Sequence, residues 1–181
     1  NSGTGKELVA RALHYKSHRK NKPFIAVNCG AISENLIESE LFGHKKGAFT
    51  GAIFDKEGYI KASNGGTLFL DEISEMPPQL QVKLLRAIQE KEYTPVGTTI
   101  SLPVNTRFIA TTNRNLEEEV KAGRFREDLF YRINVVDIHI PSLKEREEDI
   151  PLLADHFLNK YRKDLNKNIR GIDSDAMRAI L

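Results

Sequence analysis

Helix-like and strand-like patterns of apolar residues alternate along the chain as far as residue 141. Short apolar runs between turn residues predict strands over residues 24–27, 67–70, 107–111 and 135–140, and the first two are expected to be buried. Apolar positions at helical spacing predict helices over residues 6–15 and 33–41, and over the segment that follows Pro77 and Pro78. Strands joined by helices in this order predict an α/β fold with a parallel central sheet.

The pattern changes after Pro141, where no further strand is indicated. A charged stretch covers residues 144–149, and Ile150, Leu153 and Phe157 follow at helical spacing. We therefore expect an α/β subdomain over residues 1–141 and a small helical subdomain over residues 142–181. The chain opens inside a glycine-rich loop and closes within an apolar helical pattern, so we interpret both subdomains as truncated at the chain ends.

Composition narrows the class of protein without indicating an activity. The chain has 181 residues, of which 40% are hydrophobic and 29% charged, enough apolar side chains for a core. No apolar run approaches the roughly 18 residues that a membrane span needs. A formal net charge of +2 does not predict nucleic-acid binding. The single cysteine, Cys29, excludes an internal disulfide and favours a cytoplasmic location.

A glycine-rich loop leads directly into the first predicted helix. Its sequence matches the end of the phosphate-binding pattern, in which backbone N–H groups surround phosphate oxygens and a lysine adds positive charge. The residues expected at a nucleotide are Ser2, Gly3, Thr4, Gly5, Lys6 and Glu7. Glu7 stands where many such loops place a magnesium-binding hydroxyl. Glycine-rich turns before helices are often plain loops, so this segment alone leaves nucleotide binding open.

An acidic pair, Asp71 and Glu72, follows the predicted strand at residues 67–70. A buried strand that delivers two carboxylates is typical of the Walker B motif, in which the first binds Mg²⁺ and the second activates water for attack on ATP. The alternative is a solvated turn that ends at Pro77 and Pro78. The glycine-rich loop upstream favours the first interpretation.

Polar residues also follow the neighbouring predicted strands. Asn28 follows the strand at residues 24–27, and Thr112 and Asn113 follow the strand at residues 107–111. Ligands of open α/β sheets bind outside the carboxyl ends of the strands, where these side chains and Asp71 are expected to meet. Each of them taken singly could be an ordinary turn former.

The segment GHKKGAFTGA, residues 43–52, is the most specific feature of the chain. Without context, a hairpin turn that buries Phe49 would explain it. The segment resembles the GAFTGA loop of bacterial sigma-54-dependent transcriptional activators, the NtrC-like enhancer-binding proteins. The resemblance extends over residues 2–7, 27–29, 40–44, 65–72 and 125–132.

The resemblance implies an AAA+ P-loop NTPase fold, a three-layer α-β-α sandwich followed by a helical lid. It implies an ATPase that uses ATP and Mg²⁺ and works as a ring, expected to be a hexamer, to remodel the closed complex of sigma-54 RNA polymerase. The residues expected to contact sigma-54 are Gly47, Ala48, Phe49, Thr50, Gly51 and Ala52. DNA would be bound only by domains outside this chain.

The resemblance also assigns roles at the nucleotide. Asn28 looks like the switch asparagine that bonds Glu72, while Thr112 and Asn113 resemble the sensor of the γ-phosphate. Arg126 and Arg132 match the arginine fingers that reach the ATP of the neighbouring subunit. The sequence departs from the family at Pro95, in the stretch 92–104 that resembles the family's second loop, where many members carry arginine.

Two other classes of protein share parts of this pattern. A protein-unfolding or chelatase-type AAA+ motor would have the same nucleotide site, but the loop at residues 47–52 speaks against it. A non-hydrolysing nucleotide-dependent scaffold would need Lys6 but not Glu72. No histidine has metal-ligand spacing, so we expect all five to be structural or at the surface: His14, His18, His44, His139 and His156. Cys29 is expected to be a small core residue rather than a nucleophile.

Overall fold

The computed structural model of the protein describes residues 4–180. Ser2 and Gly3, both expected at a nucleotide, lie outside the described residues. Contacts divide the chain into a larger unit, Gly5–Ile138, and a smaller unit made mainly of the residues from His139 onward. The regular elements of the larger unit are α1 (Lys6–Tyr15), β1 (Phe24–Asn28), α2 (Glu34–Phe42), α3 (Tyr59–Ala62), β2 (Thr67–Asp71), α4 (Pro78–Gln89), β3 (Glu92–Tyr93), β4 (Leu102–Pro103), β5 (Arg107–Ala110), α5 (Leu116–Lys121) and α6 (Glu127–Ile133).

A parallel sheet of the order β1-β2-β5 forms the centre of the larger unit. In its register Phe24 lies opposite Thr67, and Thr67 lies opposite Arg107. The middle strand is buried from Thr67 to Leu70, because it has a neighbour on each side and helices packed over it. Three predicted strands are thus confirmed, and their carboxyl ends share one edge of the sheet.

Helix α4 shows why the predicted helices form. Pro78 occupies its first turn, where the missing N–H costs no hydrogen bond. Leu80, Leu84 and Ile88 fall on one face and are buried in the core that also contains β2. Helices α1 and α2 likewise match the predicted segments to within one residue at each end.

The fourth predicted strand, at residues 135–140, is wrong: the segment forms neither helix nor strand. Val135 and Val136 are each 77% exposed. Their branched side chains favour an extended backbone, but a strand also needs a hydrogen-bonded neighbour. The ladders of the described sheet join β1 to β2 and β2 to β5, and none of them reaches this segment.

The smaller unit is helical, with α7 (Asp149–Asp164) and α8 (Ser174–Ile180). A short turn before α7 is closed by a capping box in which Ser142 and Glu145 exchange hydrogen bonds. Ile150 is buried, whereas Phe157 and Tyr161 stack on each other at 6.2 Å between ring centroids and stay half exposed. Within residues 4–180, none of the helices combines the length and apolar composition that crossing a bilayer requires.

Candidate functional site

The carboxyl edge of the sheet brings together most of the polar residues that the sequence singled out. Asn28 ends β1 directly opposite Asp71, which ends β2. Glu72 follows at once, and the chain after β5 continues into Thr111 and Thr112. Because the three strands are parallel and in register, these side chains emerge at one edge, as expected for open α/β sheets.

Lys6 reaches this edge from the start of α1. Its Nζ donates a hydrogen bond to the backbone oxygen of Thr112, at 2.8 Å. Gly5 precedes the helix with a φ of 89°, in the left-handed region that a side chain disfavours. A half-buried ammonium beside a helix amino terminus can hold an anion such as a phosphate. Thr4, also expected at a nucleotide, is buried.

Glu7 is turned toward the surface of α1. Its Oε1 accepts hydrogen bonds from Nε and Nη2 of Arg11, at 2.9 and 2.7 Å, one helical turn away. Both side chains are more than a third exposed. The departure from the usual hydroxyl residue at this position is therefore accommodated by an ion pair along the helix.

The carboxylate of Asp71 is oriented by its neighbours. Its Oδ1 accepts a hydrogen bond from Thr111 Oγ1 at 2.5 Å and one from the backbone N–H of Glu72 at 3.1 Å. With one oxygen held in this way, the group is fixed as a half-buried anion, the kind of ligand that Mg²⁺ accepts together with substrate phosphates. Thr111 was not among the predicted site residues; its only signal was its place at the predicted strand end.

Glu72 has a left-handed backbone, with φ 54° and ψ 49°. Such a conformation costs a residue with a side chain roughly 1–2 kcal/mol and is typical of functional sites. A Cβ on Gly30 would lie 2.8 Å from Glu72 Oε2 and 3.4 Å from Asn28 Oδ1. A glycine at position 30 thus leaves room beside both of these oxygens.

Asn28 holds the turn that leaves β1. Its Oδ1 accepts hydrogen bonds from the backbone N–H groups of Gly30 and Ala31, at 2.8 and 3.0 Å. The described conformation therefore employs the Asn28 side chain within its own turn.

A second polar network extends from the end of β5. Thr112 Oγ1 donates to Ser74 Oγ at 3.1 Å and accepts from the backbone N–H of Arg114 at 3.0 Å. Arg114 pairs with Glu75 at 2.6 Å, and the predicted sensor residue Asn113 is exposed. Ser74, Glu75 and Arg114 were missed, since nothing in their sequence spacing places them beside Thr112.

Cys29 follows Asn28 and is 2% exposed. Burial, and then the charges of Asp71 and Glu72, raise the pKa of its thiol to about 12. A thiol that stays protonated at neutral pH is a poor nucleophile. The structure agrees with the expected role as a small core residue.

Of the two predicted finger arginines, Arg126 directly precedes α6 and Arg132 lies within it. Arg126 forms the amino-terminal cap position, and its Nε and Nη2 donate to Asp128 at 3.0 and 2.6 Å. Arg132 is exposed in the last turn. Among the described residues, neither arginine pairs with Asp71 or Glu72.

Residues 43–58, here called the glycine loop, form a compact excursion between α2 and α3. Asp55 closes its base by accepting hydrogen bonds from Lys45 Nζ and the Lys46 N–H, at 2.6 and 2.8 Å. At the tip, the Gly47 N–H donates to Ala52 O at 2.8 Å. Four of the six residues expected to contact sigma-54 are exposed: Gly47, Phe49, Thr50 and Gly51. Phe49 is 42% exposed. Ala48 is half-buried and Ala52 is buried.

Residues 92–104, here called the second loop, pack against the glycine loop. The backbone of Val96 accepts from Lys45 N and donates to Gly43 O, both at 2.9 Å. Gly97 has a φ of 81°, and a Cβ there would lie 2.5 Å from Ala48 Cβ. The two loops are thus joined at their bases, and Pro95 is buried at this junction.

Known proteins match the chain over nearly its whole length. Residues 1–139 match the family described as the sigma-54 interaction domain, and residues 144–181 match the AAA+ ATPase lid domain. The transcriptional regulatory protein ZraR of Salmonella typhimurium is 57% identical over 97% of this chain. The chain spans 40% of the length of that relative.

Solved structures of NtrX from Brucella abortus superpose closely. The complex with ADP has a TM-score of 0.91 at 40% identity, covering 99% of this chain and 39% of NtrX. The complex with ATP has a TM-score of 0.89 at 41% identity, covering 97% of this chain and 38% of NtrX. The predicted fold class, an AAA+ P-loop α/β sandwich with a helical lid, is confirmed.

Proposed function

The chain belongs to the sigma-54 interaction domain family, and from this premise we propose that it is the ATP-hydrolysing core of a sigma-54-dependent transcriptional activator. The observation that carries the proposal is the meeting of Lys6, Asp71 and Glu72 at one edge of the parallel sheet. A lysine at a helix amino terminus and two carboxylates at a strand end are the parts that phosphoryl transfer requires. The NtrX structures in complex with ADP and with ATP support nucleotide binding by this chain.

In this proposal Lys6 and the backbone amides of its loop bind the β- and γ-phosphates of ATP. Asp71 would hold Mg²⁺, which neutralises charge on the phosphates when bound. Glu72 accepts a proton from water as the water oxygen bonds to the γ-phosphorus. The bond to the bridging oxygen breaks, and ADP and phosphate are released.

Asn28 and Thr112 are proposed to report the state of the γ-phosphate. The Asn28 and Glu72 side chains both end beside Gly30, where a built Cβ would lie 3.4 Å from Asn28 Oδ1 and 2.8 Å from Glu72 Oε2. The amides of Gly30 and Ala31 hold Asn28 Oδ1, so the Nδ2 of Asn28 is the group that can donate a hydrogen bond to Glu72. Lys6 donates a hydrogen bond to the backbone oxygen of Thr112, which precedes Asn113. If Lys6 moved to bind a phosphate, this hydrogen bond to the proposed sensor would break.

We further propose that the protein works as a ring, expected to be a hexamer, in the cytoplasm. Arg126 and Arg132 would enter the ATP site of the neighbouring subunit, and the glycine loop would contact sigma-54. Hydrolysis would then move this loop and remodel the closed complex of RNA polymerase. DNA binding is left to domains outside this chain.

Steady-state ATP hydrolysis by the complete protein tests the nucleotide half of the proposal. Glu72→Gln should bind ATP with near wild-type affinity but hydrolyse it at least about 100-fold more slowly, because the base is lost. Glu90→Gln is the matched control, because it makes the same change at an exposed residue that follows α4. It should leave the rate of ATP hydrolysis unchanged. Near-normal turnover by Glu72→Gln would remove Glu72 from the mechanism.

Capture of purified sigma-54 tests the partner half. Thr50→Ala should retain ATP hydrolysis and lose sigma-54 binding in the presence of a transition-state analogue of ATP. If capture survives, the glycine loop is not the contact. A protein-unfolding motor would hydrolyse ATP without binding sigma-54. A non-hydrolysing scaffold would show no measurable ATP hydrolysis and no binding of sigma-54.

A further inference from the structure

His44 is buried at the base of the glycine loop, where three segments meet. Its backbone exchanges hydrogen bonds with Lys56 at 3.0 and 2.9 Å and also forms a bridge to Val96 of the second loop. Its side chain is 7% exposed. The backbone of His44 is thus held by both Lys56 and the second loop.

The imidazole of His44 joins the tip of the loop to α2. Its Nδ1 lies 2.6 Å from Ser39 Oγ, a buried hydroxyl in the second turn of α2. Its ring meets the ring of Phe49 edge to face, with centroids 4.9 Å apart. This geometry is the one in which aromatic pairs attract each other.

Two phenylalanine rings of the loop lie near His44, and the closer one is Phe49. The centroid of the His44 ring is 4.9 Å from that of Phe49 and 6.4 Å from that of Phe54. Phe49 is 42% exposed, whereas Phe54 is 61% exposed. The phenylalanine expected to bind sigma-54 is therefore the less exposed of the two and the one with the closer contact to His44.

We propose that His44 is a positioning residue that latches Phe49 in a retracted state and couples its release to α2. The inference rests on the proposed function and adds a regulatory residue to the sigma-54 contact. The latch has two parts: the ring contact with Phe49, and the Ser39 hydrogen bond that fixes the imidazole.

The position of α2 connects the latch to the nucleotide edge. The helix begins at Glu34, just after the turn whose amides bond to Asn28. If the Asn28 side chain turns so that Oδ1 no longer accepts from those amides, the turn loses its support and the start of α2 is free to shift. Ser39 would move with the helix and loosen the imidazole, so that Phe49 is released. Coupling between two sites requires an element with two states that both sites influence. In this proposal the element is α2, which the Asn28 turn influences at its start and His44 influences through Ser39.

The contact itself can be tested without sigma-54. Labelling the complete protein with 4-fluorophenylalanine, and assigning one ¹⁹F resonance by Phe49→Leu, gives a probe of the ring environment. His44→Gln removes the aromatic neighbour and should shift this resonance, while His44→Tyr, which restores a ring, should bring it back toward the wild-type position. Exposed His18→Gln is the control. An unchanged resonance in His44→Gln overturns the latch.

The functional consequence is measured by sigma-54 binding without nucleotide. Given the strength of aromatic pairs, His44→Gln should raise nucleotide-free capture about three- to tenfold, with basal ATP hydrolysis unchanged. Ser39→Ala removes only the hydroxyl that bonds to the imidazole, and it should also raise nucleotide-free capture of sigma-54. Because this change is smaller, it tests the latch even if His44→Gln fails to fold.

The outcomes separate the two proposals. If wild-type protein captures sigma-54 with a nucleotide analogue but both variants leave nucleotide-free capture unchanged, His44 does not control the contact and the latch is wrong. If wild-type protein never captures sigma-54, the proposed function fails, and the ¹⁹F resonance still decides whether His44 holds Phe49.

Discussion

Thr111 places one hydroxyl against the carboxylate of Asp71, just beyond the last residue of β5. Its backbone N–H donates to Leu70 O and its carbonyl accepts from Ile73 N, each at 2.9 Å. The residue therefore fixes the turn that carries Glu72 as well as the Asp71 oxygen. A side chain held by backbone bonds on both sides loses little conformational entropy when it donates its hydrogen bond.

Replacing Thr111 with Val keeps the shape and removes the donor. A hydrogen bond to a charged group contributes about 1.5–3 kcal/mol, so we expect kcat/KM for ATP to fall roughly tenfold or more. Steady-state hydrolysis at several Mg²⁺ concentrations measures the change. Thr99→Val, at an exposed position of the second loop, is the control. Unaltered kinetics in Thr111→Val would mean that Asp71 needs no orienting donor.

Sequence patterns identify Lys6, Asp71 and Asn28 because each stands at a defined offset from a strand or helix end. They do not identify Thr111 or His44. Thr111 bonds to Asp71, which is 40 residues away in the sequence. His44 bonds to Ser39, which is only five residues away but lies in a helix, whereas His44 lies in a loop. Neither contact follows from a regular sequence spacing. Local motifs thus indicate the groups that face a ligand, whereas the groups that orient them depend on tertiary contacts.

The glycine loop and the second loop behave as one element because their backbones are bonded at the base and touch near Gly97. Gly97 combines a left-handed backbone with a lack of space for a side chain, because a Cβ built there would lie 2.5 Å from Ala48 Cβ. Even the smallest side chain would push the loops apart. The contact between the loops is therefore sensitive to a single methyl group.

Gly97→Ala is expected to preserve ATP hydrolysis and reduce sigma-54 capture, because the displaced Ala48 carries Phe49 with it. The left-handed backbone alone costs roughly 1–2 kcal/mol. Gly123→Ala is the matched control: its φ is 70°, and no atom lies within 4 Å of its built Cβ. Both variants should lower the melting temperature, but only Gly97→Ala should lose capture. Equal loss of capture in both would attribute the effect to stability.

The predicted and observed elements differ most at residues 135–140. Strand propensity is a property of the residues themselves, but a strand exists only where a neighbour completes its hydrogen bonds. The strands β1, β2 and β5 have such neighbours, so periodicity predicts them well. Val135 and Val136 have the same side-chain preference and remain exposed. Pairing, which no local pattern contains, decides between the two outcomes.

At the scale of the whole molecule, Arg126 is the residue whose surroundings fit assembly. It caps the start of α6 and is paired with Asp128 on the surface of its own chain, with 45% and 42% of the two side chains exposed. Ion pairs at such positions contribute little to stability. Arg126 can therefore exchange Asp128 for a phosphate of a neighbouring subunit at small cost.

Mixing two inactive variants tests whether that exchange occurs. Glu72→Gln subunits bind ATP and retain Arg126, while Arg126→Ala subunits retain Glu72. A finger arginine is worth roughly 10³–10⁵ in rate, so each variant alone should be nearly inactive. In mixed rings, some interfaces pair an intact Glu72 with an intact Arg126, and hydrolysis should return there. Arg86→Ala, at an exposed position of α4, should be active alone. If no mixing ratio restores turnover, Arg126 does not act across a subunit interface.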